Sequence, residues 1–268
     1  MKSDKCSKFE GKTIIITGGG GDIGKAAAAR FGAEGARIAV CDSDRHKAAM
    51  VVQDLQDSGI EAIDVEFDVS CAEEVEAGVA AIAGRFGQID FLLNNAGYQG
   101  EFAMTHHYSP SDFAMVFQVN VIGAFHVLRE VATHMVDNNT GAIVNVASMA
   151  GVHGPPNMIA YGASKSAVIT MTETAAKDLA PFGIRVNSIS PALIGPGFMW
   201  ERQVKLQAAV GSQYFAENPT TVERAMLGNV PMRRYGSVQE VVGAVAFLLS
   251  DDASYVTGTN LIVAGGMT

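Results

Sequence analysis

The chain is poor in several residue types, and each shortage excludes something. Its 268 residues hold only three cysteines, Cys6, Cys41 and Cys71, odd in number and scattered, with no CxxC pair. That argues against a disulfide framework and predicts reduced thiols. Basic residues are the minority, 19 Lys and Arg against 28 Asp and Glu, for a net charge of -9. Such a surface repels phosphate backbones, so no nucleic-acid partner is expected. The longest apolar stretches, such as Val241–Leu249 interrupted by Gly243, are too short to cross a bilayer. The polar start, Met1-Lys2-Ser3-Asp4-Lys5, has no apolar signal core. Together they predict a soluble, cytoplasmic protein with no membrane partner. No Gly-x-Ser-x-Gly elbow surrounds Ser148, which speaks against a serine hydrolase. His106-His107, and His126 with His134, lack ligand spacing, so no metal is expected. Acidic runs such as Glu73-Glu74 and Glu76 read as a solvated helix face.

What is present is a regular alternation. Apolar residues make up 48% and charged ones 18%, the balance of a globular chain long enough to bury a large core. Strand-like runs at 12–17, 37–41, 62–67, 89–93, 142–147, 185–190 and 260–263 alternate with helical patterns at 22–34, 45–57, 72–86, 111–137, 159–180 and 238–250. This spacing predicts right-handed βαβ crossovers and a parallel sheet covered on both faces. Without a Pro-, Ser- or Gly-rich linker, one domain over 1–268 is the natural reading. Residues 196–234 break the rhythm with no strand and with Met199, Trp200, Tyr214 and Phe215. An insertion at the carboxyl edge of a sheet is where a substrate lid is expected, and a packed helical pair is compatible with it.

The first strand runs into Thr17-Gly18-Gly19-Gly20-Gly21-Asp22-Ile23-Gly24, which opens the first helix. Glycines let the backbone approach a pyrophosphate, and the helix N-terminus offers free N–H groups. Placed between strand and helix, the run predicts a dinucleotide site. Asp42 ends the second strand, where a carboxylate accepts from ribose hydroxyls and repels a 2′-phosphate, favouring NAD over NADP. Arg37 and Arg45 lie near in sequence and oppose that argument, and Asp42-Ser43-Asp44 also reads as a turn. Asp68 and Val69 after the third strand, and Asn94-Asn95-Ala96-Gly97 after the fourth, extend the same carboxyl edge.

Tyr161 and Lys165 are four residues apart, one helical turn, and so share a face. An ammonium beside a phenol favours the phenolate, and the pair is expected to carry a phenol of lowered pKa able to act as a general base. Ser148 stands thirteen residues upstream at a strand end, and Asn120 within a helix.

Thr17-Gly18-x-x-x-x-x-Gly24, Asn94-Asn95-Ala96-Gly97, Asn120, Ser148, Tyr161-x-x-x-Lys165 and Val256-Thr257-Gly258 together resemble the short-chain dehydrogenase/reductases, over nearly the whole chain and in the right order. The resemblance implies an α/β fold: one doubly wound Rossmann-like domain, a seven-stranded parallel sheet of order 3-2-1-4-5-6-7, a nicotinamide cofactor and commonly a tetramer. Residue by residue it implies Tyr161 as acid/base, Lys165 beside it holding the nicotinamide ribose, Ser148 on the substrate oxygen and Asn120 holding a water that links Lys165 to solvent. Cofactor contacts are expected from Gly18, Gly21, Asp22, Ile23, Gly24, Asp42, Asp68, Val69, Asn95, Ala96, Gly97, Tyr161, Lys165, Pro191 and Ile194.

Two departures stand out. Asp22 replaces the family's second glycine, with helix capping as the preferred reading. Pro191-Ala192 replaces Pro-Gly after the sixth strand. Segments 94–100, 154–158, 195–202 and 211–215 further resemble NAD-dependent polyol dehydrogenases within this family. They imply a small-molecule polyol or related secondary alcohol oxidised to a ketone. Gln99, His153 and Asn157 are candidates to bind further hydroxyls, and Met149, Met199 and Trp200 to wall the pocket. A ketone or 3-oxoacyl reductase, and a non-catalytic NAD sensor, are the alternatives. The long helices 111–137 and 159–180 could form a four-helix seam between subunits.

Overall fold

The computed structural model describes residues 8–267, so Cys6 and the first seven residues lie outside the described part. The sheet consists of β1 (Thr13–Thr17), β2 (Arg37–Asp42), β3 (Ala62–Glu66), β4 (Phe91–Asn94), β5 (Gly141–Val146), β6 (Ile184–Pro191) and β7 (Asn260–Val263). All neighbours pair parallel, in the order β3-β2-β1-β4-β5-β6-β7. The order reverses between β1 and β4, which opens a crevice at the carboxyl ends of those strands.

Period-two alternation sorts the core into two layers. Ile14 and Ile16 of β1, Ile38 and Val40 of β2, and Ala142 and Val144 of β5 face one side. There they meet Ala27, Ala28 and Phe31 of α1 (Asp22–Ala33), Val51 and Leu55 of α2 (Arg45–Asp57), and Val241 and Val245 of an apolar helix at Val238–Leu249. Ile15, Ala39, Cys41 and Ile143 face the other side, against Val79 and Ile82 of α3 (Ala72–Phe86). Both faces being covered explains why the strand runs are apolar throughout rather than alternating with polar residues.

The expected helix 111–137 is interrupted. It divides into α4 (Pro110–Phe117), a π-helical turn at Gln118–Gly123, and α5 (Ala124–Asn138). Asn120 sits inside the π turn, a wide turn that frequently marks functional positions. The run 110–138 is long and apolar enough to span a membrane by length and composition, contrary to the reading of shorter apolar stretches. The reason is that three helical segments continue into one another. Its inner face, Val127, Val131 and Met135, is buried against the sheet.

After β5 comes a four-residue helix, α6 (Met149–Val152), which periodicity did not suggest, then α7 (Ile159–Leu179). The non-strand segment holds α8 (Phe198–Ala209) and α9 (Pro219–Gly228). These two pack on each other around Trp200, Val204, Ala208, Val222 and Met226. Both ends of the excursion are tied together: the Gly195 N–H donates to the Gly236 carbonyl at 2.9 Å, and the Gly236 N–H to the Leu193 carbonyl at 2.9 Å. Helix α10 (Val238–Leu249) then starts with a capping box between Ser237 and Glu240.

Candidate active site

A cleft of about 820 Å³ runs along the crevice, from Asp42 and Lys47 at one end to Met199 and Trp200 at the other. At the first end the loop glycines pack so closely on their surroundings that they leave no room for side chains, and the cleft there is walled by backbone. A Cβ on Gly18, whose φ is +60°, would lie 3.0 Å from the Ala96 Cα. One on Gly19 would lie 2.6 Å from Val40 Cγ1, and one on Gly20 2.7 Å from Lys47 Cβ. Gly21 is the N-cap of α1 and no side chain caps it, so the first helical N–H groups face the cleft mouth. Such a bare backbone surface with helix-dipole charge suits a diphosphate. Gly24 is not part of the wall. Its absent Cβ, 2.5 Å from the Gly18 carbonyl oxygen, is what lets helix and loop pack.

Asp22 does not cap α1 as the sequence reading preferred. It is the first residue inside the helix, where a carboxylate still favours the dipole, and its Oδ2 lies 2.7 Å from where a Cβ on Gly197 would be. It is therefore directed at the start of α8. Asp42 is both turn-former and cleft residue: Oδ1 accepts from the Asp44 N–H at 3.0 Å, and Oδ2 from the Gly20 N–H at 3.0 Å. Two backbone donors thus aim the carboxylate.

The Asn94–Gly97 turn is braced against β1. Thr17 Oγ1 accepts from the Asn95 and Ala96 N–H groups at 2.9 and 3.0 Å. Asn95 Nδ2 donates to the Thr17 and Gly18 carbonyls at 2.9 and 3.2 Å. Asn94 donates to Asn145 Oδ1 at 3.0 Å, and Asn145 to Thr172 Oγ1 at 2.9 Å, so the turn is linked through the core to α7.

Asn120, Ser148, Tyr161 and Lys165, the expected catalytic tetrad, lie beside this turn; Tyr161 and Lys165 line the cleft, and Asn120 and Ser148 do not. Lys165, 4% exposed, donates to the Val146 carbonyl at 2.8 Å, with its Nζ 5.8 Å from the centroid of the Tyr161 ring. Burial lowers the Lys165 ammonium from its ordinary 10.5 to about 8, so it is charged at neutral pH. Burial raises the Tyr161 phenol above its ordinary value, while a hydrogen bond with Ser148 pulls it down. The net direction is opposite to the one expected from sequence, and the group that pulls the phenol down is Ser148 rather than Lys165. Ser148 also caps α6, accepting from the Ala150 N–H at 3.1 Å.

Asn120 accepts at Oδ1 from the Tyr98 N–H at 2.7 Å and donates from Nδ2 to the Tyr98 carbonyl and Ser164 Oγ at 2.8 and 3.0 Å. Its side chain therefore holds the turn and α7 together. A Cβ on Gly97 would lie 3.3 Å from Asn120 Oδ1 and 3.4 Å from Lys165 Nζ, so glycine there brings the turn against both.

Gly18, Gly21, Asp22, Ile23, Asp42, Asp68, Val69, Asn95, Ala96, Gly97, Tyr161, Lys165 and Ile194 all line the cleft, and Gly24 and Pro191 do not. Ala192 continues the sheet ladder, donating to the Val263 carbonyl at 3.1 Å. Of the substrate candidates, Gln99, Met199 and Trp200 line the cleft. His153 is exposed outside it, and Met149 is buried away from it. Asn157 is buried with φ +68° and spends Nδ2 on Gln207 and Ser212 at 2.8 and 3.0 Å, fastening α8 to the loop before α7. Sequence reasoning missed Lys47, Tyr98 and Phe198 on the wall. It also missed Arg202, which reaches Gln99 from α8 at 2.8 Å. Lys47 was findable one turn into the helix after Asp42. Arg202 had no local signal, since its partner lies 103 residues away.

A family profile described as enoyl-(acyl carrier protein) reductase matches residues 20–268. The chain is 35% identical over 270 residues to levodione reductase of Leifsonia aquatica, covering 99% of this chain and 97% of that protein. It is 37% identical to glucose 1-dehydrogenase 2 of Bacillus subtilis (strain 168), covering 96% and 95%. Among solved structures, that of NAD+-bound xylitol dehydrogenase superposes with a TM-score of 0.95 at 55% identity, over 97% of this chain and all of the other. The chain belongs to the short-chain dehydrogenase/reductase family of oxidoreductases.

Proposed function

We propose that this protein interconverts a secondary alcohol and its ketone with NAD, and that the alcohol is a polyol such as xylitol. The observation that carries the reading is a cleft lined by Tyr161 and Lys165, with Ser148 hydrogen-bonded to Tyr161, and by an oriented Asp42 carboxylate toward its far end. The glycine cradle and uncapped helix would hold the dinucleotide diphosphate, and Asp42 its adenosine ribose. When bound, NAD supplies the acceptor for the hydride. Ser148 holds the substrate oxygen, and Tyr161 takes the hydroxyl proton. The charged Lys165 beside the Tyr161 ring would favour the phenolate that accepts it, working with Ser148 against the desolvation that raises the phenol. Asn120 keeps Tyr98 and Ser164 in place around Lys165, where it would also hold the relay water. The segment of α8 and α9 acts as the lid, with Phe198 and Met199 exposed at its leading end, 71% and 44%. The 55% likeness to xylitol dehydrogenase supports the polyol.

Lys47 on the cleft wall favours a second reading, an NADPH-linked ketone or 3-oxoacyl reductase, because it could meet a 2′-phosphate. It is already paired with Asp44 at 3.1 Å, and the negative charge of Asp42 beside it on the cleft wall would repel that phosphate. For assembly, the groove between α5 and α7, lined by Phe125, Leu128, Ala132, Met171 and Ala175, is the face we assign to contact between copies. The test is NADH formation across polyols, hydroxy acids, simple secondary alcohols and cyclic alcohols. Xylitol or another polyol is expected to give the highest kcat/KM. Turnover with 3-oxoacyl substrates and NADPH alone would overturn the reading in favour of the reductase.

A further inference from the structure

Gln99 stands where the turn after β4 meets the substrate end of the cleft, and it is 6% exposed. Two side chains of α8 hold it. Arg202 Nη1 donates to Gln99 Oε1 at 2.8 Å, and Arg202 Nη2 to the Gly100 carbonyl at 2.9 Å. Gln99 Nε2 donates to Gln203 Oε1 at 3.3 Å.

The chemistry of arginine decides which way the amide faces. A guanidinium has five N–H donors and no acceptor, so the Gln99 atom toward Arg202 must be the oxygen. That oxygen is engaged. What Gln99 has left for the cleft is an N–H, the partner an alcohol oxygen needs. Arg202 is also kept from recruiting an anion. Its two forks are spent on neutral oxygens, and it faces the charge of Asp112. Asp112 is itself held in place by the Tyr98 and Tyr108 hydroxyls at 2.9 and 2.7 Å and the Glu101 N–H at 2.9 Å.

We infer that Arg202 is a positioning residue that fixes the Gln99 amide with its N–H toward the substrate, and that this oriented donor selects a neutral alcohol bearing a further hydroxyl beyond the reacting one. The inference rests on the alcohol-oxidising reading above. It assigns to α8 a part in choosing the substrate as well as in covering it.

The experiment compares xylitol with 2-butanol, which has no second hydroxyl, in NADH formation by the full-length protein. Three variants are needed. Gln99→Glu keeps an oxygen for Arg202 but has no N–H. Arg202→Met removes the orienting group, and Arg202→Lys restores one charged donor. In Gln99→Glu and Arg202→Met the ratio of kcat/KM for xylitol over 2-butanol is expected to fall about tenfold, through KM for xylitol. In Arg202→Lys the fall is expected to be smaller. Because Gln99→Glu preserves the contact with α8, it decides the matter even if Arg202→Met folds poorly. A ratio unchanged within about twofold in Gln99→Glu, or an equal loss for both alcohols, overturns the role of Arg202 and Gln99. An unmodified enzyme that oxidises 2-butanol and no polyol overturns the polyol reading itself, and this inference with it.

Discussion

The two ends of the cleft are built from different materials. The nucleotide end is backbone: Gly18, Gly19 and Gly20 have no room for side chains, and Asp42 is aimed by two N–H groups. The substrate end is side chain: Gln99, Arg202 and Gln203 hold one another across about a hundred residues of chain. Backbone surfaces recognise what every dinucleotide shares, whereas side-chain networks can be exchanged one residue at a time. The same contrast appears among the relatives, which share a fold and differ in the substrate their names carry. Between the two ends lies the tetrad, and the comparison is sharpest when each part is broken separately.

The largest effect is expected at the tetrad. Tyr161→Phe removes the group proposed to take the substrate proton, and kcat should fall by about 10³-fold or more. NAD affinity, followed by fluorescence quenching, should stay within about threefold. Turnover within about tenfold of the unmodified protein would remove Tyr161 from its role.

Next is the backbone cradle. Gly24→Ala places a Cβ 2.5 Å from the Gly18 carbonyl oxygen and 2.7 Å from the Gly19 Cα, both unable to swing aside. Alanine gains about 1 kcal/mol of helix propensity but the clash costs more, so urea unfolding should show a net loss of about 2 kcal/mol and weaker NAD binding. Gly154→Ala, where nothing lies within 4 Å, is the control. Equal behaviour of the two would show that the cradle is more yielding than its geometry.

Lys165→Met probes the cost of burying the cation. Burial lowers Lys165 from 10.5 to about 8, so the folded state holds this proton less tightly than the unfolded one. The penalty is full below pH about 8 and disappears as pH rises through about 10.5, and the depression corresponds to roughly 3 kcal/mol. Leaving the Val146 carbonyl without this donor takes back about 1 kcal/mol. The variant should therefore be inactive yet about 2 kcal/mol more stable near pH 7, with the gain shrinking above pH 8. A gain that is flat with pH, or absent, would contradict the buried-charge account.

The smallest effect is a change of preference. Asp42→Ala should weaken NAD about tenfold more than NADP, read as KM for each. Both should weaken somewhat, since the Gly20 N–H loses its acceptor. Equal weakening would mean that Asp42 serves only the loop.

Much of this molecule is legible without coordinates. The strand runs, the glycine loop and the Tyr161–Lys165 spacing are local patterns, and each landed within a residue or two of where it was expected. The π turn at Asn120 was not legible, because a wider turn keeps the same apolar periodicity over so short a stretch. Asn157 looked like a loop residue free to meet substrate. Its burial depends on Gln207 and Ser212, some fifty residues further on. His153 and Met149 shared its neighbourhood in sequence, but neither lines the cleft: His153 is exposed after α6 and Met149 is buried at its start.

The sequence by itself determined the parallel sheet, the glycine loop at its crevice and the spacing that singles out Tyr161 and Lys165. Each of these is set by contacts within a turn, a strand or one βα junction. Only the tertiary structure decided the environment of those groups. Desolvation raises Tyr161 against the pull of its hydrogen bond with Ser148 and lowers Lys165 to about 8, and both follow from how other residues close over them. It also decided which polar side chains line the cleft. Hydrogen bonds such as Arg202 to Gln99 join distant parts of the chain, and no local spacing encodes them.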